Sequence, residues 1–275
     1  MKEKKRATTI VMYSFLTIMA LFMIFPLFWM VMSSFKETNE LFTIPPKLFP
    51  KEFKWENYKY MFQEAPWGLY FFNTIKIAVS VVIGQVFISA MAAYAFARLR
   101  FKGREIIFAV VLATMMVPYH VTMIPTFQLL RQLGWLNTHL ALIVPPFFSA
   151  FGVFMLRQFF LSIPKELEES AIIDGASYPR IFFSLVLPMS KPSIVTLAIF
   201  TFIGTWNDFL GPLIYLNDDK LKTLTLGLNS FQGTYTTQWN YMMAGAAIVT
   251  IPIVIIFLLS QKYYVSGLMT SGMKE

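Results

Sequence analysis

The feature that most restricts the fold of this chain is a run of residues without charge from Ala7 to Phe35. A helix of about 20 apolar residues crosses the hydrocarbon core of a bilayer, and this run is long enough to do so. Basic residues precede it, as they do in a secretory signal peptide. A signal peptide, however, has a shorter apolar region that ends at a small-residue cleavage site. We therefore predict a retained first membrane span.

The composition extends this prediction to the rest of the chain. Of the 275 residues, 56% are hydrophobic and 14% are charged, whereas roughly 25% of the residues in an average soluble domain are charged. Further apolar segments follow the first one. We predict an all-α polytopic membrane protein in which residues 1–275 form one transmembrane domain with six transmembrane helices. The predicted spans are 10–32, 71–97, 106–129, 140–160, 193–216 and 241–259.

The formal net charge of +8 is compatible with nucleic-acid binding, but the positions of the bases favour a membrane topology. Bases cluster in residues 2–6, before the first span, and in 98–104, between the second and third spans. Cytoplasmic loops carry an excess of Lys and Arg, so both regions are predicted to lie inside. Six spans then place the N- and C-termini in the cytoplasm and the long polar loop 36–69 outside. We expect membrane lipid and no nucleic acid around the chain.

Residue types that carry out catalysis or hold metals are sparse. There is no cysteine, and His120 and His139 lie far apart and form no zinc motif. A phosphate-binding P-loop needs a Gly-Lys pair followed by Ser or Thr, and no Gly-Lys pair occurs in the sequence. We therefore expect no catalytic residue, no metal and no cofactor in this chain.

The segment 161–192, between the fourth and fifth spans, is rich in charge, and we interpret it as two helices joined at a glycine. Ser162 is predicted to cap the first helix, with Pro164 in its first turn and Gly175 ending it at positive φ. Ser177 is predicted to cap the second helix, with Pro179 in its first turn, and Pro188 is predicted to close the unit.

One face of the first of these helices is small and mildly apolar, with positions spaced i, i+3, i+4, i+7 and glutamates on its flanks. Small side chains let another protein approach the backbone, which indicates a docking helix. An ordinary amphipathic loop helix is the alternative. The face comprises Leu167, Ser170, Ala171 and Asp174, flanked by Glu166 and Glu169.

The same segment resembles the cytoplasmic loop of permease subunits of ABC importers. That loop has the pattern Glu-Ala-Ala, three residues, Gly, nine residues, Ile, any residue, Leu-Pro. Here Glu169-Ser170-Ala171 precedes Gly175 and Leu185-Val186-Leu187-Pro188 at the same spacing. The chain departs from the pattern at Ser170 and Leu185, and both replacements are conservative in size.

The resemblance covers nearly the whole chain. It is closer to the carbohydrate branch of these permeases, and in particular to the shorter permease subunit of maltose-type importers. It implies the type I ABC importer permease fold, a prokaryotic cell membrane, and import of a sugar or oligosaccharide. The segments that carry it are Arg98–Phe101, the link between the third and fourth spans, Trp206–Phe209 and Tyr263–Gly267.

The resemblance also implies partners. These are a second permease subunit that completes a heterodimer, two cytoplasmic ATPase subunits that bind ATP and Mg, and an extracytoplasmic sugar-binding protein. The tail 261–275 is expected to reach the ATPase interface, with a frayed terminus as the alternative. The predicted ATPase-coupling residues are Glu166, Leu167, Glu169, Ser170, Ala171, Asp174 and Gly175.

A second group of residues is predicted to line the substrate pathway or hold its outer gate. Asn207 and Asp208 lie in the fifth predicted span, and an ionisable group within a membrane is a functional candidate by default. Asn73 and Gln85 are weaker companions. Alternatively, Trp206 is an interfacial anchor and Asp208 faces water or a loop.

Other functions stay open from the sequence. A secondary transporter would need no acidic docking helix and typically has more spans with paired broken helices. A membrane scaffold leaves the docking loop unexplained, and an ABC permease for another solute, such as an amino acid or phosphate, is also compatible. The identity of the sugar does not follow from the sequence.

Overall fold

The computed structural model describes residues 2–233 and 237–272, with the side chains of residues 8–233 and 237–261. The regular elements of these ranges are helices. Short 3-10 or π turns join several of them. The α-helices are α1 Lys2–Ser34, α2 Thr38–Leu41, α3 Glu56–Glu64, α4 Trp67–Arg98, α5 Arg104–Ala113, α6 Tyr119–Gln132, α7 Leu140–Ile143, α8 Ala150–Ser162, α9 Lys165–Ile173, α10 Tyr178–Ile181, α11 Leu187–Met189, α12 Lys191–Trp206, α13 Leu210–Tyr215, α14 Leu224–Leu228 and α15 Trp239–Gly272.

Among the described residues, four helical segments are long and apolar enough to cross a membrane, or up to six if each of two bent helix pairs counts as one span. Each of the six predicted spans overlaps one of these segments. The four unbent candidates are Thr8–Ser34, Trp67–Arg98, Leu140–Ser162 and Trp239–Gln261. The bent pairs are Arg104–Met116 with Tyr119–Gln132, and Tyr178–Met189 with Lys191–Trp206.

The third predicted span, 106–129, is not a straight helix. The chain bends by 101° between the helical segments on either side of Pro118. Val117 has extended backbone angles, with φ of −85° and ψ of 113°, which is the region favoured for a residue that precedes proline, because the proline ring disfavours the helical region there. Pro125, in contrast, lies inside α6.

The fourth and fifth predicted spans are also interrupted. Pro145 and Pro146 begin a 3-10 turn that separates α7 from α8, so residues 140–160 do not form one continuous α-helix. The fifth prediction, 193–216, is wrong as a single helix because α12 ends at Trp206 and α13 begins at Leu210. This break places Asp208 between two helix ends.

The predicted sixth span and the start of the predicted tail belong to one helix, because α15 continues to Gly272. Residues 273–275 of the predicted tail lie outside the described residues. At the other end of the chain, every side chain from Thr8 to Leu27 in α1 is exposed.

The chain is divided into two compact units. The first comprises the described residues up to Trp67 and those of Gly227–Pro252. Asn57 connects its segments: its amide donates to the carbonyl oxygens of Ser34 and Lys36, and its Oδ1 accepts a hydrogen bond from Asn240. Tyr60 of α3 stacks on Tyr241 of α15, with ring centroids 4.4 Å apart. Residues 36–67 of the predicted loop are therefore an ordered part of this unit.

The second unit comprises Gly68–Leu226 and the described residues from Ile253 onward. An apolar core joins α4, α8 and α12 with the segment 163–186. Small residues of α4, such as Ala90 and Ala93, allow this contact. A Cβ atom on Gly152 would lie 3.2 Å from Leu197 and closer still to the Ser89 hydroxyl, so only glycine fits between α4 and α12.

The predicted charged loop 161–192 is helical over most of its length, but its first predicted cap is wrong. Ser162 is the last residue of α8 and donates its hydroxyl proton to the Phe159 carbonyl, while Pro164 occupies the N-cap of α9. Pro188 lies at the end of the second helical segment, Tyr178–Met189, which bends by 78° into Lys191–Trp206. Within that segment it stands in the first turn of α11, directly after a π turn at Phe182–Val186, where its missing N–H costs little.

Candidate functional site

The helix α9 ends in a Schellman motif at the predicted glycine. Gly175 has φ of +79°, as the sequence predicted. Its N–H donates to the Ile172 carbonyl, and the N–H of Ala176 donates to the Ala171 carbonyl. These two bonds satisfy carbonyls that would otherwise lack partners at the helix end, and the motif needs a residue that tolerates positive φ.

Most of the predicted coupling residues lie on the exposed surface of α9. Glu166, Leu167, Glu169, Ser170, Asp174 and Gly175 are exposed, and Ala171 is half-buried against the core. Large apolar side chains are exposed among these acids: 41% of Leu167, 47% of Ile172 and 85% of Ile173. An apolar surface ringed by polar residues is typical of a protein contact.

Arg98, the last residue of α4, contacts α9 on the side opposite to this exposed surface. Its Nη2 donates to the carbonyl oxygens of Phe160 and Ile163, at 2.6 Å each, where α8 ends. Its Nε lies 2.8 Å from Oε1 of Glu168 in α9. One buried guanidinium therefore joins the ends of α4 and α8 to α9. We call Arg98 and Glu168, with the two carbonyls, the arginine clamp.

The clamp is buried: 4% of the Arg98 side chain and 10% of the Glu168 side chain are exposed. Burial raises the pKa of the Glu168 carboxyl above its ordinary value, against the opposing effects of the Arg98 guanidinium and the Tyr94 hydroxyl. A carboxylate in such a place depends on its cation, because an unpaired buried charge is costly.

A second, more exposed ion pair lies beside the clamp. Arg157 of α8 stacks over the Phe108 ring at 4.1 Å and approaches Glu105 of α5 at 3.3 Å. Glu105 also contacts Arg104, and 63% of its side chain is exposed. Because it is solvated, this pair is expected to contribute little to stability.

The sequence did not predict the clamp. Arg98 was assigned to topology, and Glu168 was not among the predicted coupling residues. The face of α9 that turns inward carries Glu168 and Ala171. The available signal was that Glu168 shares a helical face with the small residue Ala171. Its partner, Arg98, is far away in the sequence.

A second site is a cavity of about 310 Å³ between α4, α12 and α13. It brings together two of the four predicted pathway residues, Gln85 and Asp208, while Asn73 and Asn207 are not among its lining residues. Its lining is Thr74, Ile77, Gln85, Leu142, Pro146, Phe200, Thr201, Gly204, Thr205, Asp208, Pro212 and Thr223.

The other two predicted pathway residues have local hydrogen-bond partners. Asn73 is buried, and its amide donates to the carbonyl oxygens of Lys220 and Lys222, which ties α4 to the segment before α14. Asn207 is exposed, and its amide donates to the Ile203 carbonyl in its own helix. The first contact joins two segments of the chain, and the second lies at the end of α12.

Metal binding finds no support in the described ranges: no group of three or more His, Cys, Asp or Glu residues there could hold a metal ion. His139 is buried, and its Nε2 lies 3.1 Å from the Leu221 carbonyl oxygen.

The chain matches a known protein family over residues 85–269, which include α9, the Schellman glycine and the cavity residue Asp208. The matching family is described as the inner membrane component of binding-protein-dependent transport systems. The chain belongs to this permease family. Membrane location and several spanning helices follow from this membership together with the apolar helices described above.

Individual relatives match the permease along almost its full length. It is 36% identical to the probable ABC transporter permease protein YurM of Bacillus subtilis, over 97% of this chain and 88% of that protein. It is also 36% identical to the arabinooligosaccharides transport system permease protein AraQ of Halalkalibacterium halodurans, over 98% and 99%. The sn-glycerol-3-phosphate transport system permease protein UgpE of Yersinia enterocolitica is 34% identical, again over 98% and 99%.

Solved structures share the fold of the permease. A chain of a bacterial ABC transporter for import of the acidic polysaccharide alginate superposes with a TM-score of 0.83, covering 95% of this chain and 98% of that one at 22% identity. At this identity the likeness shows the fold alone, which is that of an ABC importer permease.

Asp208 has a structural role in the permease that can be separated from its charge. Its Oδ1 accepts the backbone N–H of Gly211 and so caps the start of α13. We expect Asp208→Ala to lower the free energy of unfolding by about 1 kcal/mol and Asp208→Asn to leave it nearly unchanged, because asparagine caps as well as aspartate. Thermal denaturation of the detergent-solubilised chain measures both. Equal losses in the two variants would contradict the capping role.

Proposed function

We propose that this permease is the membrane subunit of an ATP-driven, binding-protein-dependent importer of sugars or oligosaccharides, and that α9 is the helix that docks on a separate ATPase. The observation that carries the proposal is the construction of α9: its outer surface is exposed and partly apolar, while the arginine clamp anchors its inner face to α4 and α8. The names of the relatives supply the solute class, since AraQ is named for arabinooligosaccharides.

The anchoring suggests how motion passes from the ATPase to the membrane helices. Closure of two ATPase subunits on ATP and Mg would draw the docked α9 helices of the two permeases together. Because Arg98 ties α9 to the ends of α4 and α8, those helices would follow α9 as a rigid group. The spans then alternate between inward-open and outward-open arrangements, a transition of the rigid-body type.

The remaining partners and the topology belong to the same proposal. We propose six spans with both termini in the cytoplasm, a second permease as heterodimer partner, two ATPase subunits and an extracytoplasmic solute-binding protein. A periplasmic protein with bound alginate pentasaccharide accompanies the alginate transporter in one structure whose chain has this fold. The bases of residues 98–104, beside α9, support the cytoplasmic assignment.

Co-purification tests the docking proposal. Glu169 is exposed on α9 beside the clamp. We expect Glu169→Lys to reduce recovery of the ATPase with the tagged chain at least about tenfold, because a reversed charge at the centre of a docking surface costs more than 1.4 kcal/mol. Membrane insertion should be unchanged. The measurement is a pull-down in mild detergent from the native host.

Glu56→Lys is the matched control, because Glu56 is an exposed helical acid in the other unit. It should retain the ATPase. If the wild-type chain brings down no ATPase and no second permease, the importer proposal fails and a secondary transporter becomes the better interpretation. If Glu169→Lys retains the ATPase, docking through α9 is refuted.

A further inference from the structure

The polar cavity between α4, α12 and α13 is lined by charge of one sign, which is negative. Asp208 is the acid among the residues that line it, and Lys, Arg and His are absent from that lining in the described part of the chain. The cavity also opens at the surface of the chain, because Gly204 and Phe200 are both exposed. A solute that enters it meets a negative potential and no compensating cation.

The uncharged part of the lining is suited to hydroxyl groups. The Gln85 amide donates to the Thr201 hydroxyl at 2.8 Å. This places an amide group and a hydroxyl group side by side in the cavity wall. Thr205 adds a hydroxyl one turn further along α12. Hydroxyl and amide groups both donate and accept, which matches the alternating needs of a polyol. Phe200 adds an apolar ring to the wall, suited to the C–H face of a sugar.

Part of this lining is already committed to the fold. The Thr74 hydroxyl donates to the Tyr70 carbonyl and accepts the Leu224 N–H. Oδ1 of Asp208 caps α13. The polar side chains left to meet a solute are therefore those of Gln85, Thr201 and Thr205, since the Thr223 hydroxyl shares a hydrogen bond with Thr225. The Asp208 carboxylate contributes its charge.

We propose that this cavity is a solute subsite for an uncharged polyhydroxylated molecule, and that Asp208 excludes anionic solutes from it. This inference rests on the proposed import function and narrows its substrate class. It predicts that this chain does not transport sn-glycerol 3-phosphate, for which one relative is named. It predicts the same for acidic alginate, for which the superposed structure is named. A phosphate or uronate beside Asp208 would be repelled, whereas a neutral sugar can donate hydroxyl hydrogens to it.

The absence of cysteine from the sequence allows a direct test that needs neither the solute nor the ATPase. Gly204→Cys places one thiol in the cavity wall, and a Cβ at this position meets no atom within 4 Å. Membranes that contain this variant are treated with methanethiosulfonates of equal reactive group and different charge: the trimethylammonium-ethyl, hydroxyethyl and sulfonatoethyl reagents. The rate of thiol loss is measured for each.

Gly68→Cys is the reference, because Gly68 is an exposed helical glycine in α4 that also has no atom within 4 Å of its Cβ position and does not line the cavity. We expect the ratio of cationic to anionic rates at Gly204→Cys to exceed the ratio at Gly68→Cys by about tenfold, since probes of opposite sign differ by twice the coulombic energy with the carboxylate. Adding Asp208→Asn, which keeps the cap acceptor, should remove most of this excess.

Equal ratios at the two positions, or an excess that survives Asp208→Asn, would overturn the charge selection. Failure of the neutral hydroxyethyl reagent to react at Gly204→Cys would overturn the subsite itself, because the cavity would then be closed to small polar molecules. None of these outcomes depends on ATPase recovery, so failure of the subsite is distinguishable from failure of the importer proposal.

Discussion

Gly175→Leu is expected to abolish recovery of the ATPase with this permease while the chain still inserts in the membrane. Leucine at φ of +79° is strained, by about 1–2 kcal/mol for an L-residue in the left-handed helical region. Relief of this strain breaks the Schellman bonds from Gly175 and Ala176 and redirects the chain at the end of α9. We expect at least a tenfold loss in a pull-down, since about 1.4 kcal/mol at the interface suffices for that, and loss of transport.

The chain contains a closely matched control. Gly134 ends α6 with φ of +68°, its N–H donates to the Arg131 carbonyl, and the N–H of Trp135 donates to the Leu130 carbonyl. This is the same Schellman motif, and Gly134, like Gly175, has no atom within 4 Å of its Cβ position. Gly134→Leu should therefore lose a similar amount of stability and keep the ATPase.

Gly175→Asn provides a rescue, because asparagine tolerates positive φ better than other residues with a side chain. It should recover much of the ATPase binding that Gly175→Leu loses. Equal ATPase losses in Gly134→Leu and Gly175→Leu would show that the effect is general instability, and the assignment of α9 as the docking helix would have to be abandoned.

Arg98→Ala is expected to be the most destabilising substitution of those considered. It leaves the Glu168 carboxylate buried without its cation and removes the donor of the Phe160 and Ile163 carbonyls. Breaking a buried ion pair by removing one partner typically costs about 3–5 kcal/mol. Thermal denaturation of the solubilised chain should show this loss, together with reduced abundance in the membrane.

A double-mutant cycle separates the charge pair from the packing. Arg98→Met with Glu168→Leu should be more stable than Arg98→Met alone, because no buried charge is left unpaired. Full recovery is not expected, since the two carbonyls still lack a donor. Glu105→Gln is the matched control: it removes the exposed partner of Arg157 and should change stability by less than about 1 kcal/mol. An additive cycle would contradict a coupled clamp.

The double variant Arg98→Met with Glu168→Leu also tests whether the clamp transmits motion from α9 to the membrane helices. If the clamp passes motion from α9 to α4 and α8, a stable chain without it should still bind the ATPase and hydrolyse ATP in the assembled complex, but move less solute per ATP. A purely structural clamp would change abundance and leave the ratio of transport to hydrolysis unaltered.

The positions of the long apolar helical segments could be predicted from the sequence because hydropathy is a local property. Their continuity could not. Pro118 coincides with a bend of 101°, whereas Pro26, Pro125 and Pro252 lie inside helices. A proline inside a helix leaves a carbonyl without its N–H donor, and whether the neighbouring structure accommodates that group depends on tertiary contacts.

The candidate sites show the same division. Gly175 was predictable because a helix end at positive φ has a local signature. The clamp was not, because Arg98 and Glu168 are brought together by the packing of α4, α8 and α9. The pathway prediction named polar residues within the second and fifth predicted spans, and the structure separates them by their partners. Gln85 and Asp208 line the cavity, while Asn73 and Asn207 donate hydrogen bonds to backbone carbonyls.

The exposure of α1 from Thr8 to Leu27 bears on how this part of the gene is constrained. Exposed side chains are under little pressure to match the shape of a neighbour within their own chain. Mutations among Leu, Ile, Phe and Met in this stretch are expected to disturb the fold of the subunit little, while a new charge is expected to disturb its membrane insertion. The first helix can therefore diverge faster than the rest of the coding sequence while keeping a constant chemical character.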